Sequence, residues 1–496
     1  MPFNSHEFVL VFLPLAWAVN RACLRLSRGA ALAWLCCACA AFYAWWNAGD
    51  LALLLASVVA NFGAGLALHR GRSRALLALA VGANVALLAW FKWQAGGEGA
   101  PAGSTERIAG IAIPLGISFF TFTQIAYLAD VAQGKTQPSR FAEYLLFVSW
   151  FPHLAAGPLM RHDRVIPQFA RPDAFAATRE DVARGLTLFA LGLAKKVFLA
   201  DEAGLAAAPA FAAAADGVPL GLVEAWVALL SYSFQIYFDF SAYSDMALGL
   251  SRMFGVELPL NFDSPYRAAN LVEFWRRWHM SLSAFLRDYV YIPLGGSRGG
   301  VAATSRNLGA TFLLGGLWHG IGWNFLAWGA IHGTLLAFTH AWRSARPGCV
   351  AGRARRGAGV AATFLAVTLA WVPFRADGLG SAGRFFASLF GLNGVSLPRS
   401  WSARIPDLPW ADFGIAFEGT FRSAIYDGPR AVVTLAILAA FVWLVPNACR
   451  ITGVSAPREA RLAWQPGLAW ALASGTLLAA STLRLARPSA FLYFQF

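Results

Sequence analysis

The sequence predicts an all-α fold in the form of a polytopic bundle of transmembrane helices. Of its 496 residues, 58% are hydrophobic and only 13% are charged, whereas soluble domains carry about 25% charged residues. Apolar runs recur along the whole chain, and a membrane-spanning helix needs about 20 mainly apolar residues. We therefore expect about 10 to 12 spans in a single integral-membrane domain that covers residues 1–496.

The first four spans predict the orientation of the bundle. Arginine clusters follow the first and third spans, but none follows the second. Because positively charged loops stay in the cytoplasm, we expect the N-terminus on the outer, periplasmic face of a bacterial inner membrane. These four spans are predicted over Phe8–Val19, Ala31–Trp46, Leu51–Leu68 and Ala75–Trp93.

Two later stretches have an irregular pattern. Phe141–Leu159 is apolar but contains Pro152 and Pro158, which predicts a broken or re-entrant segment covered by protein. Ser251–Asn307 is rich in arginine and predicts interfacial helices. The remaining spans are predicted over Ile108–Val131, Val182–Leu199, Leu220–Leu250, Leu308–Phe338, Val360–Phe374, Ala431–Val445 and Leu468–Leu485.

The formal net charge of +14 does not indicate nucleic-acid binding. The arginines lie between apolar segments, where they set topology and contact anionic lipid head groups. Cys36 and Cys39 lie in an apolar run, and no second C-x-x-C pair follows them at the spacing of a zinc site. We expect membrane lipids as partners, no nucleic acid, no metal and no bound cofactor.

The stretch Leu313–Gly333 holds the strongest functional candidate. It contains no Asp, Glu, Lys or Arg, but it does contain His319 and His332. Ionisable groups at membrane depth usually border a cavity or a pathway, and glycines surround His319. At about 1.5 Å per residue, the apolar run Leu308–Phe338 would exceed a bilayer of about 30 Å, so we predict a break near Gly320–Gly322.

A polar stripe is predicted on the helix that contains residues 231–245. At about 100° per residue, Tyr232, Gln235, Asp239 and Tyr243 fall on one side of that helix. The stripe must face other polar groups. Two interpretations remain open: it lines a polar path, or it forms hydrogen bonds between helices.

A third set of polar and aromatic residues lies between Asn261 and Gly300. Tryptophans such as Trp278 and arginines such as Arg276 favour an interfacial helix with snorkelling side chains, although guanidinium groups also suit a phosphate-bearing donor. His279 is the exceptional residue of this set. By contrast, no metal spacing pairs His153 with His162, so we interpret both as structural.

These stretches together resemble the membrane-bound O-acyltransferases, and in particular their bacterial alginate O-acetyltransferase branch. The resemblance runs in order through most of the chain. It is carried by IPLGISFFTFTQIAYLADV, FPHLAAGPLMRHDRVIPQF, SYSFQIYFDFSAYSDMALG, NFDSPYRAANLVEFWRRWHMSLS, LGGLWHGIGWNFLAWGAIHG and the terminal FLYFQF.

The resemblance implies a ring of helices, with re-entrant and interfacial helices, around a thinned centre with a tunnel. That tunnel would join a cytoplasmic acyl-thioester, either acetyl-CoA or an acyl carrier protein, to an acceptor hydroxyl on the far side. His319 would be the family's catalytic histidine and His279 its second signature position. Residues 108–345 would form the catalytic core, and residues 346–496 the C-terminal spans.

Acyl transfer to an alcohol suggests roles for these residues. His319 as general base would take the hydroxyl proton, which contributes about 10²–10⁴-fold, and His279 would orient the thioester or support His319. Asn324 or the glycine-rich backbone is a candidate for stabilising the oxyanion. A covalent acyl-histidine or an acyl handover to a partner is the mechanistic alternative. Weaker candidates for the tunnel or donor site are Gln235, Asp239, Tyr243, Arg276, Trp278 and Trp318.

The acceptor predicted from this reasoning is an exported polysaccharide, alginate-like or another exopolysaccharide, reached directly or through a periplasmic SGNH-type acetyltransferase partner. Transfer of D-alanine or another acyl group to a cell-wall polymer is the alternative within the enzyme class. A transporter or flippase for lipid-linked sugars and a scaffold for a periplasmic acyltransferase are the alternatives outside it. The scaffold would leave His319 and His332 unexplained.

Overall fold

The computed structural model describes residues 1–95, 113–345, 352–402, 409–421, 425–454, 462–486 and 491–492. Helices dominate these residues, and the predicted all-α class is confirmed. The only β-structure in these ranges is a parallel pair of short strands, β1 (Val395–Ser396) and β2 (Ile415–Ala416). The helices are α1 (Glu7–Leu26), α2 (Arg28–Trp46), α3 (Ala48–Gly71), α4 (Arg74–Ala95), α5 (Ile117–Ala132), α6 (Phe141–Ser149), α7 (Phe151–Leu154), α8 (His162–Phe169), α9 (Arg179–Ala215), α10 (Leu222–Met253), α11 (Leu271–Trp275), α12 (Met280–Leu286), α13 (Gly300–His319), α14 (Trp323–Ala345), α15 (Arg353–Arg375), α16 (Leu379–Leu389), α17 (Gly428–Leu444), α18 (Ala448–Ile451) and α19 (Leu468–Leu483).

The apolar helices make the chain a multi-pass membrane protein. In the described ranges, six helices are long and apolar enough to cross a membrane: α1, α2, α3, α4, α9 and α15. Helices α5, α17 and α19 are apolar but shorter. The fifth predicted span began at residue 108, but residues 108–112 lie outside the described residues and α5 begins at Ile117.

The segment with two prolines is broken, as predicted. Helix α6 ends at Ser149, and Trp150 leaves helical geometry with φ −50° and ψ 104°. The short helix α7 follows, with Pro152 in its first turn. A proline is tolerated there because the first turn has no intrahelical partner for its missing N–H. In the predicted interfacial region, only short helical segments, among them α11 and α12, lie between the end of α10 at Met253 and the start of α13 at Gly300.

Small residues let α9 and α10 pack at backbone distance. A methyl group on Gly185 would lie 2.6 Å from the carbonyl oxygen of Gly249, and one on Gly192 would lie 2.8 Å from that of Ala242. Helices in lipid associate through such close contacts, because no hydrophobic driving force acts between them. This packing fixes α10, which contains Asp239, against α9.

The predicted break in the histidine stretch is confirmed. Helix α13 ends at His319 and α14 begins at Trp323, so the glycines between them form the turn of a helical hairpin, residues 300–345. We call it the histidine hairpin. A methyl group on Gly316 would overlap the carbonyl of Phe325, and the opposing glycine of α14 is similarly close to α13. The two arms therefore touch backbone to backbone, and His319 lies at the hairpin tip.

Two clusters of buried apolar residues flank that tip. One cluster is built mainly from helices α1 to α9 and includes Trp318. The other is built mainly from α9, α10 and the helices after α12, and it includes Trp328. The ring centroid of His319 lies 4.7 Å from that of Trp318 and 5.1 Å from that of Trp328. His319 thus lies between the two halves of the core.

Candidate active site

A buried cavity lies beside the tip of the histidine hairpin. Its walls come from α10, the segment before α12, both hairpin arms, α15 and the described residues 491–492. The lining residues are Ile236, Asp239, Phe240, Trp278, His279, His319, Trp328, Trp371, Phe374 and Leu492. The cavity therefore brings together His279 and His319, which are far apart in the sequence.

The imidazole of His319 is held in an aromatic cage. Its ring lies between Trp318 and Trp328, and Phe374 of α15 contacts it at 5.0 Å between centroids. Only 8% of the residue is exposed, and the buried Nδ1 atom has no hydrogen-bond partner. A buried polar atom without a partner is costly outside a functional site, so Nδ1 of His319 is available for chemistry.

Lys92 of α4 holds the backbone of His319. Its Nζ donates a hydrogen bond of 2.9 Å to the His319 carbonyl oxygen. The last carbonyls of a helix lack intrahelical partners, and a cation at that end complements the helix dipole. Among the described residues, no carboxylate forms a salt bridge with Lys92, which is 7% exposed. The N-terminal helices therefore help to fix the position of the candidate base.

Hydrogen bonds around Asn261 determine which nitrogen of His279 carries the proton. Asn261 Oδ1 lies 3.4 Å from the backbone N–H of Ser281, which can only donate, so this atom of the amide is the oxygen. The same oxygen lies 3.0 Å from His279 Nδ1, which must therefore be the protonated nitrogen. In neutral His279, Nε2 then has a free lone pair, and it has no partner.

The backbone of His279 is strained. Its φ of 41° lies in the left-handed region, which costs free energy for a residue other than glycine. Such outliers cluster at functional sites, where the surrounding structure enforces them. Here the backbone N–H of Met280 donates to the Asn261 carbonyl at 2.9 Å, so the backbone and the side chain of Asn261 both hold this turn.

Asp239 forms part of a buried ion pair at the cavity wall. Its Oδ1 accepts a 2.7 Å hydrogen bond from Lys196 of α9, and both side chains are 2% exposed. Its Oδ2 accepts a 2.9 Å hydrogen bond from the backbone N–H of Leu492. Lys196 also pairs with Asp201 at 2.8 Å. The Asp239 carboxylate therefore links α9 and the described residues 491–492 to the cavity wall.

The rest of the predicted stripe on α10 does not reach the cavity lining. Gln235 faces α9, because a methyl group on Gly204 would lie 2.6 Å from its amide nitrogen. Tyr243 stacks on Phe3 at 4.8 Å and contacts Phe491 at 5.0 Å between ring centroids. Of the two interpretations left open, contact between helices describes Gln235 and Tyr243, since α10 is buried on nearly all sides and its polar groups face different neighbours.

Three further sequence candidates also lie outside the lining. Arg276 is exposed. Trp318 supports the His319 ring and stacks on Phe122 at 5.2 Å. The Asn324 amide donates a 2.8 Å hydrogen bond to the carbonyl of Ala376, so it ties the hairpin to the end of α15. This geometry does not favour Asn324 as the oxyanion donor that the sequence suggested.

His332 and His162 do not line the cavity. His332 is fully buried with both ring nitrogens unpartnered, and it contacts Trp328 at 4.9 Å and Trp275 at 5.1 Å between centroids. It is one layer removed from the cavity. His162 is hydrogen-bonded to the Thr136 hydroxyl at 3.0 Å, as a structural histidine would be.

Several residues of the site could not be predicted from the sequence. Lys92 lies at the end of an apolar run, where a lysine usually anchors the span at the membrane surface. Asn261 is one of many amide side chains in loops, and Trp328 is one of 20 tryptophans. Lys196 and Lys92 each lie near the end of a predicted span, and a charge within an apolar span requires a partner. The contact of Leu492 with Asp239 depends on long-range folding alone.

Comparisons with known proteins show the family of this chain. A family model for the membrane-bound O-acyltransferase family matches residues 88–367. A probable alginate O-acetylase of Azotobacter vinelandii is 37% identical over the whole of both chains. The chain belongs to the membrane-bound O-acyltransferase family.

Other relatives refine the branch. A peptidoglycan O-acetyltransferase of Helicobacter pylori is 39% identical over 80% of this chain and 81% of its own. A teichoic acid D-alanyltransferase of Streptococcus thermophilus is 30% identical but covers only 46% of this chain and 57% of its own. This membrane-bound O-acyltransferase thus falls in the alginate O-acetylase-like branch, and it is an enzyme rather than a transporter or a scaffold. In the described ranges, no group of three or more His, Cys, Asp or Glu side chains is arranged to hold a metal ion.

Proposed function

We propose that this O-acyltransferase moves acetyl groups from a cytoplasmic thioester donor across the inner membrane toward hydroxyls of an exported polysaccharide. The observation that carries the proposal is the convergence of His319 and His279 on one buried cavity, each with a ring nitrogen that has no partner. The two relatives named as O-acetylases and matched over most of their length support acetyl as the transferred group and a polysaccharide as the acceptor.

In the proposed reaction, His319 acts as general base. An acceptor hydroxyl attacks the thioester carbonyl carbon while His319 takes its proton, which forms a tetrahedral oxyanion. The oxyanion collapses, the carbon–sulfur bond breaks, and the imidazolium returns the proton to the leaving thiolate. Positioned proton transfer of this kind contributes about 10²–10⁴-fold. His279, with its tautomer fixed by Asn261, orients the thioester or the base.

The donor is acetyl-CoA or an acetylated carrier protein. Neither requires a bound cofactor, because the thioester carries the activated acetyl group. The acetyl group reaches the polymer directly or through a periplasmic SGNH-type acetyltransferase partner. D-Alanyl transfer is the second candidate, but the relative named for that activity matches less than half of this chain.

Acetylation in cells tests this proposal. His319→Ala is expected to abolish O-acetylation of the exported polysaccharide while the protein still accumulates in the inner membrane. His332→Ala is the matched control, because it removes a buried histidine of the same hairpin that does not line the cavity. Normal acetylation by the His319→Ala protein would overturn the proposal.

A further inference from the structure

Trp328 lines the cavity and has an unpaired hydrogen-bond donor. It lies in α14, it is 3% exposed, and it lines the cavity with His319. Its indole Nε1–H is buried without an acceptor, whereas its neighbour Trp371 donates its own N–H to Tyr266 at 3.2 Å. A buried N–H normally finds a partner, so this donor is available for a group that enters the cavity.

The indole is also rigidly placed. Its ring lies 5.2 Å from Phe374 and 6.2 Å from Trp371 between centroids, and the His319 ring meets it edge-on at 5.1 Å with an interplanar angle of 82°. Catalytic donors work best when they are preorganised at the place where charge develops, since no reorganisation is then required during the reaction. The packing of the Trp328 ring holds it in one place next to the proposed base.

We propose that the Trp328 indole N–H stabilises the oxyanion of the tetrahedral intermediate; this inference rests on the proposed acyl transfer at His319. The hydroxyl oxygen bonds to the thioester carbonyl carbon, the hydroxyl proton moves to His319, and the carbonyl oxygen becomes the oxyanion that accepts from Trp328 Nε1–H. When the oxyanion collapses, the carbon–sulfur bond breaks and the proton passes from His319 to the thiolate. Trp328 is a donor throughout and does not exchange its own proton.

Two substitutions separate a donor role from a packing role. Trp328→Phe keeps a large aromatic ring but removes the N–H. Trp328→His loses the benzene part of the indole, but its five-membered ring places an N–H near the position of the indole Nε1. A donor role makes the Phe variant the worse enzyme, whereas a packing role makes the smaller, polar His variant the worse one.

Trp275→Phe is the matched control. Trp275 is also buried with an unpaired indole N–H, and its ring lies 6.0 Å from that of Trp328, but it does not line the cavity. If loss of any unpaired N–H in this aromatic cluster disturbed the enzyme, this variant would lose activity to the same extent as Trp328→Phe.

The experiment measures turnover of labelled acetyl-CoA by the full chain in nanodiscs, for wild type, the three tryptophan variants and His319→Ala. We expect Trp328→Phe to lower kcat by about 10²–10³-fold with KM changed less than about threefold, because the N–H contacts charge present only in the transition state. Trp328→His should retain more activity than Trp328→Phe, and Trp275→Phe should match wild type.

The other outcomes are equally informative. If Trp328→Phe keeps wild-type kcat while His319→Ala is inactive, the inference is wrong and the proposed function stands. If Trp328→Phe does not fold, the His variant decides: activity near wild type supports a donor, and activity as low as that of His319→Ala overturns it. If neither labelled acetyl-CoA nor a labelled acetylated carrier protein gives His319-dependent turnover with wild type, the proposed function fails and the inference fails with it.

Discussion

Lys92 Nζ donates a hydrogen bond to the main-chain carbonyl of His319 at 2.9 Å, and so a lysine of α4 fixes the end of the helix that carries the candidate base. Both residues are buried. Charge-assisted hydrogen bonds are shorter and stronger than neutral ones, and a helix C-terminus favours a cation. The N-terminal helices, which carry no predicted catalytic group, therefore contribute to the geometry of the site.

Replacing Lys92 should impair catalysis more than binding. A misplacement of about 1 Å at a reacting group can cost about 10²-fold in rate, so we expect Lys92→Met to lower acetyl-CoA turnover by about 10- to 10²-fold. Lys92→Arg, which keeps a donor, should recover part of that loss. Lys135→Met is the control, because the Lys135 side chain is 54% exposed and its ion pair with Asp130 is long, at 3.9 Å. Wild-type turnover by Lys92→Met would contradict the positioning role.

Asn261 should set the tautomer of His279. Asn261→Leu removes the acceptor for His279 Nδ1–H while keeping a similar side-chain volume, and we expect turnover to fall by about tenfold or more. Ser244→Ala is the control, because Ser244 contacts only the amide nitrogen of Asn261, at 3.1 Å. Steady-state kinetics of both variants in nanodiscs tests this; equal losses would mean that the Asn261 network acts only through stability.

The pair of Lys196 and Asp239 should behave as a unit. Removing one partner of a buried ion pair leaves the other charge uncompensated, which typically costs about 3–5 kcal/mol. We expect Lys196→Met to lower the thermal stability in nanodiscs strongly, and the double variant Lys196→Met/Asp239→Leu to recover part of the loss. Additive effects of the two single substitutions in a double-mutant cycle would show that the pair is not coupled.

The histidine hairpin should depend on Gly316 but not on Gly309. A methyl group on Gly316 would overlap the carbonyl of Phe325, whereas one on Gly309 meets nothing within 4 Å. Gly316→Ala is therefore expected to separate the arms, with loss of folded protein or of turnover. Gly309→Ala, on the same helix, should be neutral or stabilising by up to about 1 kcal/mol. Thermal unfolding and turnover compare the two, and similar behaviour would argue against close packing of the arms.

The arginine pattern predicts an N-terminus on the periplasmic face. Single cysteines introduced near His6 and near Arg72, in a protein without its native cysteines, should react differently with a membrane-impermeant maleimide added to intact cells. We expect labelling near His6 and protection near Arg72. The reverse pattern would invert the predicted orientation of the bundle.

The sequence was sufficient where local chemistry decides the structure. The glycine turn after His319 follows from the length of the apolar run, and the broken helix near Pro152 follows from proline geometry. The proximity of His279 to His319 was one interpretation of an odd histidine in an arginine-rich stretch, and the family resemblance supported it. Neither residue carries a local signal for the other, because about 40 residues and several elements separate them.

The rest of the site depends on packing that no local pattern encodes. Residues 231–245 are helical, as the α10 stripe requires, but other helices pack around α10. Asp239 therefore lines the cavity, whereas Gln235 contacts α9. Trp328 is one of 20 tryptophans in the chain, and no local pattern distinguishes it. The contact of Lys92 with the His319 backbone likewise has no local sequence pattern. The division into a core of residues 108–345 and C-terminal spans of residues 346–496 stays a prediction.

Thioester turnover by the purified chain in nanodiscs, wild type against His319→Ala, tests whether His319 is the general base. With labelled acetyl-CoA, we expect wild type to release the thiol and the His319→Ala protein to be slower by about 10²–10⁴-fold, with both proteins equally folded. Equal turnover by the two proteins would exclude His319 as the general base.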